Sequence, residues 1–181
     1  MRLVKGRNAM AKRSVREQNQ RIALSGLLVA LMLVLGFVES LIPVGSIPGM
    51  KVGLSNGVLI FAIYMLGIPT AFVLMVLKVV LSGLLFGGVS AMMYAFAGGM
   101  VSMICMSLLS RAKGIHPVTV SMVGGVAHNV GQVGLAMIML RTPKLMYYMA
   151  ILMLVGLACG ALTGICATSV MKHLKAIKKH I

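Results

Sequence analysis

Six apolar runs divide the chain, and the positions where polarity breaks into them carry most of its information. They are Ile22 to Val38, Leu54 to Leu66, Thr70 to Phe86, Ala91 to Leu109, Val118 to Leu140 and Tyr147 to Met171. A helix needs about 20 mainly apolar residues to cross a bilayer, with a range of roughly 17 to 25, so only the second run is short. Breakers separate the later runs: "LGIPT" with Gly67 and Pro69, then "GGVS", "RAKGIHP" and "RTPK". Glycine ends helices and proline starts them, and connections this tight make consecutive helices antiparallel neighbours. The pattern predicts an all-α integral membrane protein with six transmembrane helices.

One connection differs. "ESLIPVGSIPGMKVG", residues 39–53, contains Pro43, Gly45, Pro48 and Gly49, which forbid a continuous helix, yet Leu41, Ile42, Val44, Ile47 and Met50 make it apolar for a solvated loop. Irregular backbone is tolerated at membrane depth only where protein buries it or a cavity hydrates it. The expectation is a lid that folds back over a pocket.

Composition agrees with the pattern: 60% of the 181 residues are hydrophobic, 10% are charged, and the mean hydropathy is +1.03. Seventeen Lys and Arg stand against two acids, Glu17 and Glu39. The bases flank the apolar runs instead of striping one helix, so their partner is the membrane surface and not nucleic acid. With the N-terminus in the cytoplasm, thirteen of them (seven up to Arg21, then Arg111, Lys113, Lys172, Lys175, Lys178 and Lys179) lie inside and three (Lys51, Arg141, Lys144) outside. That asymmetry demands an even number of spans. The expected layout is a basic cytoplasmic segment at 1–20, a six-helix domain at 21–172 with its outer lid at 39–53, and a basic cytoplasmic tail at 173–181. The first run lacks an A-x-A-like cleavage site, which makes it a retained span and not a signal peptide. Cys105, Cys159 and Cys166 have no metal-type spacing and are expected to pack as small apolar residues.

The candidate chemistry lies where polar groups intrude. A charged side chain inside a bilayer costs about 2.5 to 3.5 kcal/mol on insertion scales, so each needs a partner or a task. Lys78 sits in the middle of "VLMVLKVVLSG", with Ser82 one turn further along its face. Glu39 closes the first run on the outer side and Lys51 precedes the second. In "GGVAHNVGQVG", His128 and Gln132 share a helical face and Asn129 is three residues from Gln132; Gly124, Gly125 and Gly131 lie alongside and allow close approach. Two accounts fit these residues. Asn, Gln and His often hydrogen-bond between spans as interhelical glue, an account that holds equally well for Asn129 alone. Alternatively they line a pocket near the outer leaflet, where two lysines with one acid favour an anionic or strongly hydrogen-bonding ligand. A metal site does not fit, because His116, His173 and His180 fall at segment ends. In the first run "ALSGLLVAL" places Ala23, Gly26 and Ala30 on a small-residue surface suited to internal packing or to a partner subunit.

The order "ESLIP…PGMKVGLSN", then "LKVVLSGLLFGGVSAMMYAFAGG", then "GGVAHNVGQVG" resembles the Gx transporter family, long labelled heptaprenyl diphosphate synthase component I. The resemblance runs from about Arg21 to the sixth run and is most specific at residues 51–56 and 128–132. The family is similar to the substrate-binding S components of energy-coupling-factor (ECF) vitamin transporters: six helices, both ends cytoplasmic, a long outer loop over the pocket. The resemblance implies a prokaryotic cytoplasmic membrane and a flavin, FAD included, as transported ligand with no resident cofactor; the residues themselves give the expected substrate set, Glu39, Lys51, Asn56, Lys78, Ser82, His128, Asn129 and Gln132. The resemblance also implies an ECF transmembrane subunit and ATPase subunits as partners. The older label meets an obstacle in the residues. Prenyl diphosphate synthases hold magnesium-bound diphosphate with aspartates, and this chain has none. Nor does it contain a G-x-x-x-x-G-K-[ST] phosphate loop, so an ATPase would be another chain. The expectation is a non-enzyme; an accessory component of polyprenyl diphosphate synthesis and a ligand-free membrane scaffold are the alternatives.

Overall fold

Each predicted breaker ends or begins a helix in the computed structural model, which describes residues 2–41, 51 and 53–179. The elements are α1 (Arg2–Leu41), α2 (Asn56–Met65), α3 (Ile68–Ser82) continuing into a π-helical turn at Gly83–Gly87, α4 (Gly88–Arg111), α5 (Pro117–Leu140) and α6 (Leu145–Lys179). Pro69 and Pro117 lie in the first turns of α3 and α5, and His116 caps α5 by accepting the Val118 N–H at 3.3 Å. No strand occurs among the described residues.

Four stretches are long and apolar enough to cross a membrane: Val15–Leu41, Ile68–Arg111, Pro117–Leu140 and Leu145–Leu174. Two features separate this number from the six runs of the sequence. First, Ile68–Arg111 is one apolar stretch folded in two. Gly88, at φ +72°, turns the chain in a conformation that a side chain would strain. Beyond the turn α4 runs back along α3: a β-carbon on Gly99 would meet Met75, and one on Gly83 would meet Met92. Second, α2 is only ten residues long. At 1.5 Å per residue it covers about 15 Å, half of a hydrocarbon core.

The helix α1 runs from Arg2 through the basic segment without a break, so the described part of that segment and the first apolar run form one rod of 40 residues. Its inner face is Leu28, Met32, Gly36 and Glu39, a spacing of four, four and three that keeps one side against α2 and α3. Helix α5 is sandwiched between α4 and α6, and α2 is inserted against α3, α5 and α6. Every residue of α2 from Asn56 to Ile63 is buried. Such a helix, apolar all round, has no solvent face to keep polar. The proposed lid at 39–53 falls largely outside the described residues; only its ends, Glu39 to Leu41, Lys51 and Gly53, are in view.

Candidate functional site

The short α2 explains where the site lies. Asn56 begins the helix about 15 Å from its inner end, and Lys78 and His128 stand at similar heights, ten residues into α3 and eleven into α5. The chain that leads into α2 therefore runs through the middle of the bundle as irregular backbone. Its polar groups must find partners inside the protein.

Side chains of α1 and α5 provide them. The Gln132 amide grips Lys51 on both sides of its backbone: Lys51 N–H donates to Oε1 at 3.2 Å, and Nε2 donates to the Lys51 carbonyl at 2.6 Å. Gln132 Nε2 also donates to Asn129 Oδ1 at 2.8 Å. On the opposite side Leu54 N–H donates to Glu39 Oε1. Asn56 N–H closes the turn on the Gly53 carbonyl at 2.9 Å. Gly53 has φ +89° and its Cα faces the Asn56 amide and the His128 ring, so neither the conformation nor the space admits a side chain there.

Beneath this strap is a chamber. Met32, Ser55, Asn56, Leu59, Met75, Lys78, Val79, Ala95, Gly99 and His128 line a cavity with about 10 Å³ open to the centre of a water molecule. Lys78 and Lys51 are 4% and 3% exposed, while Arg16, Arg21, Arg111, Lys113, Arg141, Lys144 and Lys172 all reach the surface. Both buried lysines converge on α1: a β-carbon on Gly36 would lie 3.6 Å from Lys78 Cε and 4.0 Å from Lys51 Nζ. The Lys51 ammonium sits 4.9 Å from the centre of the Phe86 ring, which is edge-on to Phe37 at 5.7 Å. A cation over an aromatic face gains about 0.5–2 kcal/mol, with the larger value when water is excluded. Three buried polar atoms in this region have no hydrogen-bond partner among the described residues: Asn56 Nδ2 and His128 Nδ1, on residues that line the cavity, and Glu39 Oε2 beside the strap.

Another part of α5 hydrogen-bonds to the neighbouring helix. Asn129 Nδ2 donates to the Leu152 carbonyl of α6 at 2.5 Å, and its Oδ1 accepts from Gln132, so Asn129 serves the α5–α6 seam. That seam is built on small residues. Gly125 lies directly against the Gly156 carbonyl, and Gly160 and Gly164 lie against Ser121.

The structure thus brings Asn56, Lys78 and His128 into the lining of one chamber, sets Glu39 and Lys51 at the strap beside it, and uses Gln132 to hold that strap. Ser82 is buried next to Gly83 but donates to the Val79 carbonyl at 3.2 Å, a bond within its own helix. Ala23, Gly26 and Ala30 lie on the outer side of α1, and nothing lies within 4 Å of a β-carbon built on Gly26. Gly36, Gly53, Ser55 and Phe86 escaped the sequence reading. Gly36 carried a signal, because it falls on the same face as Glu39.

A family model described as heptaprenyl diphosphate synthase component I matches residues 28–170, a span that contains the whole chamber and the seam. No curated protein and no solved structure matches the chain.

Proposed function

We propose that this chain, which belongs to the heptaprenyl diphosphate synthase component I family, is a non-catalytic membrane subunit that binds a small anionic or strongly hydrogen-bonding ligand in the chamber between α1, α2, α3 and α5. The observation that carries the reading is the pair of buried lysines beside a single carboxylate, with unpartnered polar atoms around them. Buried charge without compensation is costly, and a ligand that supplies negative charge or acceptor atoms removes the cost. The flavin suggested by resemblance is the first ligand to test, and transport across a prokaryotic cytoplasmic membrane is the function it implies.

In this reading six helices cross the bilayer with both ends in the cytoplasm, and α2 completes its crossing through the chain that precedes it, of which Lys51 and residues 53–55 are described. Drug-sized ligands occupy pockets of about 300–1,000 Å³, far more than the closed chamber offers. Loading requires the chamber to open. Lys51 and Leu54 are held by side-chain bonds instead of a helix or sheet ladder, and their release would open the chamber. Movement of ligand then depends on partner chains, an ECF-type transmembrane subunit with ATPase subunits, docked on the outer side of α1 at Ala23, Gly26 and Ala30.

The family description favours a second reading, in which the chain is the non-catalytic component of a polyprenyl diphosphate synthase and a catalytic subunit is its partner. A diphosphate is also an anion that two lysines could hold. Mass spectrometry of small molecules retained by the purified protein separates the readings: a flavin supports the first, a polyprenyl diphosphate the second, and a preparation with no saturable ligand defeats both. The topology has its own check. In a cysteine-free background, an introduced cysteine at Lys144 should label from outside and one at Lys113 should not; the reverse would invert the chamber's access.

A further inference from the structure

A second opening shares no residue with the chamber. It is an open groove of about 370 Å³, to which α2 contributes Ile63 and Tyr64, α3 contributes Ile68, and α4 contributes Ser110 and Arg111. Ile68 and Arg111 are also the first and last residues of the apolar stretch that folds in two at Gly88. Both ends of that stretch therefore come to one edge of the membrane, where acyl chains give way to head groups. The residues that lead inward from the groove are apolar. One turn along α3 from Ile68 is Phe72, and one and two turns back along α4 from Arg111 are Leu108 and Ile104, all of them exposed. Tyr64, 38% exposed, suits the boundary, because its apolar ring carries a polar tip. Arg111 brings a positive charge that no neighbouring element neutralises: α2, α3 and α4 contain no Asp or Glu, and the connection to α5 adds only Lys113. The Ser110 hydroxyl donates to the Ser107 carbonyl at 3.0 Å, so its oxygen remains an acceptor.

We propose that this groove holds the head group of an anionic, hydroxyl-bearing phospholipid, of which phosphatidylglycerol is the simplest. The planar guanidinium of Arg111 matches two phosphate oxygens at once. The Tyr64 hydroxyl is a further donor for the phosphate, and Ser110 accepts from a hydroxyl of the head group. Phe72, Leu108 and Ile104 then carry the acyl chains. The groove lies within the range of about 300–1,000 Å³ found for small-molecule sites, so a glycerophosphate group has room. A head group with an amine would bring another positive charge beside Arg111 and Lys113, with no acid on these elements to receive it. A free phosphate would leave the apolar surface below the groove uncovered. The site is separate from the chamber and does not depend on what the chamber binds.

The test is native mass spectrometry of the full chain released from detergent, titrated separately with phosphatidylglycerol and with phosphatidylethanolamine of the same acyl chains. Saturable retention of phosphatidylglycerol is expected, tighter than that of phosphatidylethanolamine. Arg111→Gln should weaken it about tenfold or more, as loss of a charged hydrogen bond does. Arg111→Lys should weaken it less, because the charge stays while the fork is lost. Tyr64→Phe keeps the ring and should weaken it about threefold, and it reports on the site even if Arg111→Gln disturbs the end of α4. Lys144→Gln, in the exposed α5–α6 turn, should change nothing. Equal retention of the two lipids, or phosphatidylglycerol binding that survives both Arg111→Gln and Tyr64→Phe, would overturn the proposal. So would soluble glycerol phosphate that binds as tightly as the lipid, because the apolar surface would then take no part.

Discussion

The α5–α6 seam and the chamber are built from the same kinds of residue and treat them in opposite ways. At the seam, glycines bring two backbones together until Gly125 touches the Gly156 carbonyl, and Asn129 finds both its partners within the protein. In and beside the chamber, glycines at 36, 53 and 99 make room for side chains, and Glu39, Asn56 and His128 each keep an atom without a partner among the described residues. His128 and Asn129 are consecutive, yet one belongs to each region. The comparison teaches that polarity inside a membrane bundle does not by itself indicate a site. Nor does a single unsatisfied atom, since Ser121 Oγ at the seam also lacks a partner among the described residues; what distinguishes the chamber is that two such atoms, Asn56 Nδ2 and His128 Nδ1, belong to residues that line one cavity with a buried lysine, and an unmade buried hydrogen bond costs about 1–3 kcal/mol.

The largest expected effect is at Lys78. Lys78→Met keeps length and apolar volume and removes the charge, so the comparison predicts that folding survives or improves while ligand affinity falls. Loss of a buried charged contact is worth about 2–5 kcal/mol, or roughly 30-fold to several thousand-fold in Kd. Thermal unfolding and ligand titration on one preparation read both quantities. Collapsed stability with unchanged affinity would place Lys78 with the seam.

Gly125→Ala should show the reverse. Its new methyl group would press on the Gly156 backbone, which has no flexible end to swing aside. Overpacking typically costs about 1–3 kcal/mol, and contact with rigid backbone puts this case at the upper end. A clear fall in Tm with unchanged affinity per folded molecule is expected. A tolerated alanine would mean that the seam is looser than its geometry indicates.

These regions were unequally legible in the sequence. The helix limits could be read because Gly67, Pro69, Gly88 and Pro117 act on their own local backbone. Burial of Lys78, His128, Asn129 and Gln132 could be read because a charge or an amide in mid-span must face inward. The roles could not, since Gln132 meets Lys51 across 81 positions of chain and Asn129 meets Leu152 across 23. Helical periodicity carries no information about which helix stands opposite. The short second run was visible as an anomaly, but its setting was not: α2 is preceded by backbone hydrogen-bonded to side chains, a pattern without a repeat to detect.

Gln132 lies on the border between the regions and should give a mixed result. Gln132→Leu frees the Lys51 N–H and carbonyl and removes the Asn129 contact. Stability and affinity should both fall, each by about 1–2 kcal/mol, since neutral hydrogen bonds contribute about that much and the strap loses its anchor. Proteolysis near Lys51 should quicken in step. If affinity alone fell, Gln132 would be a direct ligand contact; if stability alone fell, the strap would have no part in binding.

The smallest effect, and the sharpest division, is expected at His128. Its ring lies against the Cα atoms of Gly53 and Gly98, lines the cavity, and leaves Nδ1 without a partner among the described residues. Leucine fills similar volume and brings no polar atom, so His128→Leu removes no hydrogen bond that the fold makes, and Tm should hold or rise slightly. The ligand loses one neutral hydrogen bond, about 1 kcal/mol or roughly a fivefold rise in Kd. Asn129→Leu, one position along, breaks two bonds that the fold does make and should lower Tm with little change in Kd. Both variants place leucine at consecutive positions, and because leucine is also larger than asparagine at a fully buried site, overpacking adds to the loss of stability expected at Asn129. Equal losses of stability from both would mean that the His128 ring is as much a part of the scaffold as Asn129, and that the chamber wall and the seam are one structure.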